Sequence, residues 1–297
     1  MLHKLKRIFI GQPKPQYKRY TRSKAGNVLF FTVLAMAGAF SVLPLIYCLN
    51  TAFKPLDELL RFPPKIFVQR PTLENFLTLP TVLGSLGIPL SRYFFNSLFV
   101  ALVGTVVHIM AASMAAFVFS KTNIKGKTVM FLIVQFALLY NGYTLAVPQY
   151  LIFSKLHIID TYLAYILPAI PSAMGCFLMK QYMDAGIPDT LLEAACVDGA
   201  KPFTIFFRIV MPMVKPAWMT LFLFSFRDQW ANISSGMIFT EQLKTLPQIL
   251  TTIAAGGVAR TGNSMAATVL LLIPPVIVFL ISQANVMETM SSSGIKE

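Results

Sequence analysis

The residues of the sequence that could perform acid–base or metal chemistry are few and far apart. The chain has three histidines and three cysteines. They are His3, His108, His157, Cys48, Cys176 and Cys196. Zinc sites and disulfide frameworks need such residues at short, regular spacings such as C-x-x-C, and none of the six forms such a pair. The sequence therefore predicts no metal centre, no disulfide framework and no catalytic residue.

One tripeptide resembles part of a phosphate-binding loop. Gly126-Lys127-Thr128 matches the end of the P-loop pattern, which also needs a glycine five residues before Gly126. That position is occupied by Lys121. We therefore expect a basic turn here and no nucleotide site in this chain.

A polar and aromatic group stands inside an apolar run. It consists of Arg227, Asp228, Gln229, Trp230 and Asn232. On a helix, Asp228 and Asn232 share one face, and Arg227 and Trp230 share another. Ionisable groups inside membrane helices usually face protein or water. Together with Tyr143, the group could line a path for a hydroxyl-rich solute; the alternative is that these side chains only pair with neighbouring helices.

The composition predicts a membrane protein. Of 297 residues, 56% are hydrophobic and only 12% are charged, whereas a soluble domain carries roughly 25% charged residues. The net charge is +13, but the Lys and Arg residues fall mainly in short stretches between apolar runs, as the positive-inside rule predicts. This placement argues against a nucleic-acid partner and in favour of membrane lipid as the main solvent.

Six stretches are long and apolar enough to cross a bilayer, which takes about 20 residues of helix. They are residues 28–49, 94–119, 129–153, 162–182, 217–239 and 266–286. We therefore expect an all-α membrane protein with one six-span domain at 28–286. The third and fourth spans contain Pro148, Pro168 and Pro171, so the sequence does not define the ends of these two helices.

The charges of the connecting segments predict the orientation. Residues 1–27 form a basic tail without an acidic residue, and the connection 120–128 is also basic. Both are expected in the cytoplasm, together with the C-terminal tail 287–297. The segments expected outside are 50–93, 154–161 and 240–265. We expect the first span to be retained, because a cleaved signal peptide normally has a shorter apolar run.

The expected cytoplasmic segment 187–216 is acidic and rich in small residues. Thr190 and Glu193 have the capping-box spacing that opens a helix, with Pro188 at its start. Gly199 predicts the end of this helix and a tight turn. Pro202 stands where a second short helix could begin. The segment therefore predicts a helix–turn–helix under the membrane.

One side of this helix–turn–helix is predicted to be small and apolar. Leu192, Ala195 and Cys196 share one face, and Ala194 beside Ala195 lets another surface approach closely. Helices that lie on lipid usually carry Lys and Arg on their polar face, whereas this one carries acids. We therefore expect it to dock into a groove on a protein partner; an amphipathic helix on the membrane surface is the alternative.

The spacing in this segment resembles the EAA loop of ABC importer permeases. Its pattern is E-A-A, three residues, G, nine residues, I, one residue, L-P. The matching residues are Glu193-Ala194-Ala195, Gly199, Ile209 and Met211-Pro212. The one departure is Met211 in place of Leu, a change that conserves volume. The stretches that also resemble the carbohydrate-uptake, MalG-type branch are 92–97, 160–162, 198–200 and 283–290.

The resemblance implies a type I importer permease fold and a transport role. Such a subunit pairs with a second permease, and two ATPase subunits dock on the coupling residues. The coupling residues that the resemblance implies in this sequence are Glu193, Ala194, Ala195, Asp198 and Gly199. An extracellular binding protein delivers a sugar or oligosaccharide. ATP and Mg bind to the ATPase subunits, so this chain is expected to need no cofactor and not to be an enzyme.

Two segments expected outside the membrane are candidates for further contacts. The proline-rich connection 50–93 is expected to hold one or two short helices on the membrane surface. The segment 254–263 is predicted to be small, flexible and exposed. The resemblance implies a loop here that reaches the binding protein, with Gly256, Gly257 and Arg260 as candidate contacts; a plain connector is the alternative.

Two other functions remain open on the sequence. The first is an ABC permease for another solute, such as a peptide or polyamine. The second is a secondary transporter, which would need an ion-coupling site and inverted repeats of broken helices. No internal repeat is evident, and Asp228 is the one acid deep in a predicted span, so both rank below the sugar importer.

Overall fold

The computed structural model describes residues 24–84, 87–140, 142–233 and 236–294. These residues form helices joined by turns, and no β-strand occurs among them. The chain divides into two units, Met1–Tyr47 and Cys48–Glu297. The predicted N-terminal tail lies outside the described residues except for 24–27, which begin the first helix.

The α-helices of the described residues are given in chain order. They are α1 (Lys24–Ala52), α2 (Leu56–Leu59), α3 (Glu74–Leu77), α4 (Leu79–Gly84), α5 (Leu90–Lys121), α6 (Lys127–Ala137), α7 (Ala146–Lys155), α8 (Leu163–Ile166), α9 (Ala173–Gly186), α10 (Asp189–Val197), α11 (Pro202–Ile205), α12 (Met211–Met213), α13 (Lys215–Trp230), α14 (Leu246–Ala254) and α15 (Thr261–Gly294). The 3₁₀ turns are Gly142–Leu145, Leu167–Ala169, Glu241–Leu243 and Val258–Arg260, and Phe206–Val210 is a π-helical turn.

Three of these helices are long and apolar enough to cross a membrane. They are Ala25–Ala52 of α1, Leu90–Lys121 and Thr261–Gln283 of α15. Two further candidates are bent pairs, Leu163–Ala169 with Ala173–Gly186 at 41° and Pro202–Met213 with Lys215–Trp230 at 82°. The described residues thus hold three to five candidate spans. The predicted all-α membrane class is confirmed, and the number six stays a prediction.

The predicted third span, 129–153, is not one continuous helix. α6 ends at Ala137, and α7 begins at Ala146 after a 3₁₀ turn. The Asn-Gly pair at 141–142 favours a turn over a helix. Pro148 falls in the first turn of α7, where its missing N–H would have no helical partner. The run is apolar enough to span, but its turn residues divide it.

The predicted fourth span bends where its prolines stand. Pro168 lies in the 3₁₀ turn Leu167–Ala169, and Pro171 comes just before α9. Proline removes a backbone donor and clashes with the preceding turn, so the helix must restart. Ser172 caps the new start, because its Oγ accepts a hydrogen bond from the Gly175 N–H at 2.8 Å.

The predicted fifth span, 217–239, extends beyond the C-terminal end of the observed helix. α13 ends at Trp230, and residues 231–233 and 236–240 are not helical. Beyond this end, Asp160 holds the last residues of the predicted span, because its Oδ1 accepts hydrogen bonds from the N–H groups of Phe239 and Thr240, each at 2.9 Å. Backbone donors bound in this way have no need of a helical partner.

The core of the second unit forms around α5. This helix packs against α9 and α13, and α13 packs against α15. Ala112 and Ala116 are buried on α5, where small side chains let neighbouring membrane helices approach closely. The same core cluster includes Ile187 and Val214. The segment 187–216 is therefore fixed to the core near both of its ends.

A small polar cluster joins the connection after α1 to the start of α15. Asn75 donates through Nδ2 to Ala52 O at 2.9 Å and to Lys54 O at 2.7 Å. Asn263 in turn donates to Asn75 O at 2.9 Å. Gly262 lies against the amide, and a Cβ at this position would be 2.7 Å from Asn75 Cγ. The close approach therefore requires glycine.

Gly262→Ala is expected to destabilise the protein, because two hydrogen bonds hold the Asn75 side chain against the new methyl group. Overpacking of this kind typically costs about 1–3 kcal/mol. Thermal unfolding of the detergent-solubilised chain measures the loss. Gly186→Ala is the matched control, since nothing lies within 4 Å of a Cβ there. Equal melting temperatures for the two variants would contradict the expectation.

Candidate functional site

The segment 187–216 folds as the predicted helix–turn–helix. After α10, Gly199 adopts a left-handed conformation with φ +79°. Its N–H donates to Cys196 O, and the Ala200 N–H donates to Ala195 O, each at 3.0 Å. This is the hydrogen-bond pattern of a Schellman turn. α11 then begins at Pro202, where a proline ring is preorganised for a helix start.

The predicted capping box at the start of α10 is wrong. The helix begins at Asp189 with Pro188 in the N-cap position, and no side chain caps it through a hydrogen bond. Thr190 and Glu193 both lie inside the helix. Asp189 supplies the electrostatic part of a cap instead, because a carboxylate in the first turn interacts favourably with the helix dipole.

The two sides of α10 have different surroundings. Leu192 and Ala195 pack against the core of the second unit, whereas Cys196, predicted on the same face, is exposed. Val197 is 87% exposed, and Phe203 of α11 is 73% exposed. The other predicted coupling residues are exposed as well: Glu193, Ala194, Asp198 and Gly199.

A buried lysine fixes the start of α10 to the end of α5. Lys121 is the last residue of α5, and its side chain is only 6% exposed. Its Nζ donates to Ile187 O at 2.7 Å and to Asp189 Oδ1 at 2.8 Å. A buried charge is tolerated when it is paired and hydrogen-bonded. Lys121 therefore positions α10, although in the sequence it is only one basic residue among several.

A second contact joins the end of α5 to α9, just before the segment 187–216. Ser120 donates to Asp184 Oδ1 at 2.5 Å, and Lys180 pairs with Asp184 Oδ2 at 2.6 Å. Gly126, with φ +83°, turns the chain into α6, so Gly126-Lys127-Thr128 is a turn followed by a helix, as predicted. The connection 120–128 and the segment 187–216 thus lie side by side around an open groove of about 470 Å³.

The polar group at the end of α13 is only partly accessible. Arg227 and Asp228 are exposed and Gln229 is half-buried. Trp230 is buried, and its Nε1 donates to Leu271 O at 2.9 Å while its ring packs among aromatic side chains. Trp230 therefore packs inside the protein and offers no open face on which a solute could stack.

Two further candidates of this group lie off the helix. Asn232 follows the end of α13, so it does not share a helical face with Asp228 as predicted. Tyr143 belongs to the 3₁₀ turn Gly142–Leu145, and its side chain falls outside the described part of the chain. Of the polar and aromatic group predicted to line a solute path, only residues 227–229 remain as candidates.

Gln229 carries an unpaired acceptor. Its Oε1 is buried and has no hydrogen-bond partner among the described residues. It lies against α5 at Gly104, where a Cβ would be 3.2 Å from this oxygen. His108 stands about one turn further along α5, and its Nδ1 lies 2.8 Å from Ala169 O. A buried acceptor without a donor is costly, so this position favours a water or solute hydroxyl.

The motif at the start of α5 holds the segment that follows α13. Asn96 donates through Nδ2 to Gln242 O at 2.8 Å and to Lys244 O at 2.9 Å. Ser97 Oγ accepts a hydrogen bond from the Leu246 N–H at 2.8 Å. Asn96 and Ser97 thereby satisfy the backbone groups around a 3₁₀ turn and the first turn of α14.

The helix α14 was not predicted. Its side chains Leu246, Ile249 and Ile253 are buried in a cluster that also holds Ala266. The sequence contains a pattern that predicts this helix, since an amphipathic helix has apolar residues at i, i+3, i+4 and i+7. The residues with this spacing are Leu246, Ile249, Leu250 and Ile253. Pro247 in the first turn is typical of a helix start.

The segment after α14 is exposed only in part. Gly256, Gly257 and Arg260, the predicted contacts for a binding protein, are exposed. Gly262 and Asn263, which were also expected to be exposed, are buried because they contact Asn75.

Asp160 joins the connection before α8 to the segment 237–240. Its carboxylate accepts hydrogen bonds from the Thr240 hydroxyl and from the N–H groups of Phe239 and Thr240. The Thr240 hydroxyl, and then these backbone donors, hold the pKa of Asp160 below its ordinary value. The ionised carboxylate therefore stabilises the fold. This stabilisation is complete above the ordinary pKa of about 4 and is lost as the pH falls through the lowered folded value.

Asp160→Asn is expected to lower the stability of the chain at pH 7 by about 1 kcal/mol, because charged acceptors form stronger hydrogen bonds than neutral ones. The difference from the parent chain should shrink as the pH is lowered below about 4, where the parent carboxyl group becomes protonated. Thermal unfolding in detergent across this pH range measures both effects. Asp198→Asn, at an exposed turn position, is the control; a pH-independent difference for Asp160→Asn would contradict the account.

Known proteins resemble this chain over nearly its full length, although no family model matches the sequence. The chain is 28% identical over 290 residues to the arabinooligosaccharides transport system permease protein AraQ of Bacillus subtilis, covering 95% of this chain and 98% of that protein. It is 28% identical over 271 residues to the inner membrane ABC transporter permease protein YcjP of Escherichia coli, covering 90% and 95%. It is 25% identical over 274 residues to the lactose transport system permease protein LacG of Rhizobium radiobacter, covering 92% and 97%.

The fold matches that of a solved transporter chain. The matching chain comes from the crystal structure of a bacterial ABC transporter involved in the import of the acidic polysaccharide alginate. The TM-score is 0.72 at 20% identity, and the match covers 89% of this chain and 98% of that chain.

Fold and relatives agree on what this protein is similar to. The described chain has the fold of a chain from a solved bacterial ABC transporter, and its relatives are permease proteins of ABC and sugar transport systems. Its relatives include permeases of sugar transport systems, which confirms the predicted resemblance to the carbohydrate-uptake, MalG-type branch.

Proposed function

We propose that the chain is one of two permease subunits in an ATP-driven importer for a sugar or oligosaccharide. A second permease completes the pore, two ATPase subunits bind ATP and Mg, and an extracellular binding protein delivers the substrate. The substrate class is supported by relatives named for the transport of arabinooligosaccharides and lactose. This chain then needs no cofactor of its own.

The observation that carries the proposal is the surface formed by α10 and α11. Glu193 and Ala194 are exposed beside Val197 and Phe203, whereas the opposite side of α10 packs on the core. Leu192 and Ala195 of the predicted docking face are thus used within the chain, and the exposed side instead combines an acid with apolar side chains. A firmly held helix–turn–helix with such an exposed side is suited to dock into a groove on a protein. Motion of a docked ATPase subunit would then reach α5 through Lys121.

Contacts between the connections support a six-span topology with both termini in the cytoplasm. The connections 120–128 and 183–189, both expected inside, contact each other through Ser120 and Lys121. Segments expected outside also meet: Asn75 binds Asn263, and Asp160 binds Thr240. On this topology, the exposed stretch with Gly256, Gly257 and Arg260 faces the binding protein.

Glu193→Arg is expected to block uptake while leaving expression intact, because it reverses the charge at the centre of the docking surface. We expect the affinity for the purified ATPase subunit to fall at least about tenfold, equivalent to about 1.4 kcal/mol. Uptake into proteoliposomes and binding in detergent measure the two effects. Glu74→Arg reverses an exposed acid in the connection after α1 and is the matched control. Normal uptake by Glu193→Arg would refute the coupling role.

The importer proposal has two alternatives. A permease for a peptide or polyamine would share the fold, and a ligand screen on the cognate binding protein distinguishes it. A secondary transporter would take up solute without ATP or a binding protein, so strict dependence of uptake on both excludes it.

We further propose that Asp228 and Gln229 contact the solute as it passes. Both lie at the end of α13 beside α5, and the Gln229 Oε1 has no donor among the described residues. A sugar hydroxyl is a suitable donor for this acceptor. Arg227, exposed next to them, completes the polar group.

Asp228→Asn and Gln229→Leu are expected to reduce the stimulation of ATPase activity by the sugar-loaded binding protein, because each removes an acceptor for a sugar hydroxyl. The assay uses the reconstituted complex and compares stimulated with basal rates. Ser225→Ala is the control, since it removes a buried hydroxyl from the same helix that likewise has no partner in the described chain. If both test variants are stimulated as strongly as the parent complex, the proposed contact of Asp228 and Gln229 with the solute is wrong.

A further inference from the structure

Four large apolar side chains form an unpartnered rim in the connection after α1. Leu60 is 60% exposed, Phe62 93%, Ile66 59% and Phe67 68%. These residues, called the apolar rim below, lie in a turn region that is not helical. The connection was expected to hold one or two short helices on the membrane surface. The described part holds α2, α3 and α4, but these four exposed apolar side chains lie between α2 and α3.

Two buried charged side chains hold the backbone of this turn region in place. Lys54 is 4% exposed and donates through Nζ to Lys65 O. Glu58 is 7% exposed and accepts hydrogen bonds from the Gln69 N–H at 3.0 Å and the Arg70 N–H at 3.4 Å. Buried charges used in this way restrain the backbone firmly. The exposure of the apolar rim therefore belongs to an ordered surface.

Further contacts place the apolar rim at the level where α1 leaves the membrane. The Val68 N–H donates to Asn50 Oδ1 at 3.2 Å, and the Thr72 N–H donates to Phe53 O at 2.8 Å. The candidate span Ala25–Ala52 has 28 residues. At about 1.5 Å per residue, this helix reaches across a bilayer with its headgroups, which is about 40–45 Å thick. A backbone bound to Asn50 thus lies within about one helical turn of the headgroup region.

The charges beside the apolar rim fit a lipid surface. The stretch 60–70 carries Arg61, Lys65 and Arg70 and no acid. Arg70 pairs with Asp57, whereas Arg61 and Lys65 have no acidic partner among the residues that the structure describes. Basic side chains next to aromatic and aliphatic ones are typical of interfacial anchors, where the cations meet lipid phosphates.

We infer that the apolar rim inserts into the membrane interface, with Arg61 and Lys65 on lipid phosphate groups, and anchors the end of α1 to the bilayer. The observations favour lipid over a protein partner because the stretch 60–70 is bound to the last turn of a candidate span and carries basic residues without an acid. The inference rests on the chain spanning a membrane and is independent of the proposed substrate and of the ATPase contact.

A fluorescent label at the apolar rim tests this anchor. Phe62→Cys in a Cys196→Ser background is labelled with an environment-sensitive dye, since Cys48 and Cys176 are buried. The full chain is placed in nanodiscs of phosphatidylcholine and phosphatidylglycerol. We expect the emission of the dye to be shifted to the blue and to be strongly quenched by phospholipids with a nitroxide near the headgroup. Iodide in solution should quench it several-fold less than it quenches the same dye on Asp198→Cys in the same background. Phe67→Cys provides a second position if Phe62→Cys does not fold.

Iodide quenching as strong as at Asp198→Cys, together with no quenching by nitroxide lipid, would overturn the inference and leave the apolar rim for a protein partner. The cationic part has its own test. Arg61→Gln with Lys65→Gln should abolish the additional blue shift that the labelled Phe62→Cys chain shows in nanodiscs with phosphatidylglycerol over those of phosphatidylcholine alone. Equal spectra of the labelled parent in both lipids would overturn the assignment of phosphate contacts to Arg61 and Lys65.

Discussion

The polar side chains at the two ends of α5 are the interactions on which the rest of the structure depends. A helix that crosses a bilayer satisfies its own backbone, and polar groups near its ends can satisfy the backbone of neighbouring segments. At one end of α5, Asn96 and Ser97 bind the backbone of residues 242–246. At the other end, Lys121 binds Ile187 O and Asp189. One helix thus positions both the segment before α14 and the start of α10.

This arrangement would give a physical route from the proposed docking surface to the proposed solute path. α5 has 32 residues and is therefore about 48 Å long. Lys121 is buried and bound twice, so separating it from α10 would leave a charge without partners, which is much more costly than breaking an exposed ion pair. A displacement of α10 should therefore carry α5 with it, and α5 lies beside Gln229 through Gly104.

Several features that depend on neighbouring residues could be predicted from the sequence, although the capping box of α10 was wrong and the helix α14 was missed. Features that depend on distant residues could not be predicted. Gly199 and Pro202 mark a turn and a helix start by their own backbone preferences. The non-helical course of residues 239–240 could not be predicted, because Asp160, far away in the sequence, binds their backbone N–H groups. A tryptophan in this sequence position is compatible both with a solute path and with a packed core. The distant contact with Leu271 O places Trp230 in the core. Lys121 likewise acquires its role through distant partners.

The claim at the centre of this account is that α10 and α11 form a docking surface for an ATPase subunit. A photo-crosslinking benzoylphenylalanine at Val197, the most exposed large apolar residue of α10, tests it in intact membranes. The account predicts a crosslinked product that contains the chain and a nucleotide-binding subunit and that weakens when Glu193→Arg is also present. Crosslinks to lipid alone, or a product unaffected by Glu193→Arg, would contradict it.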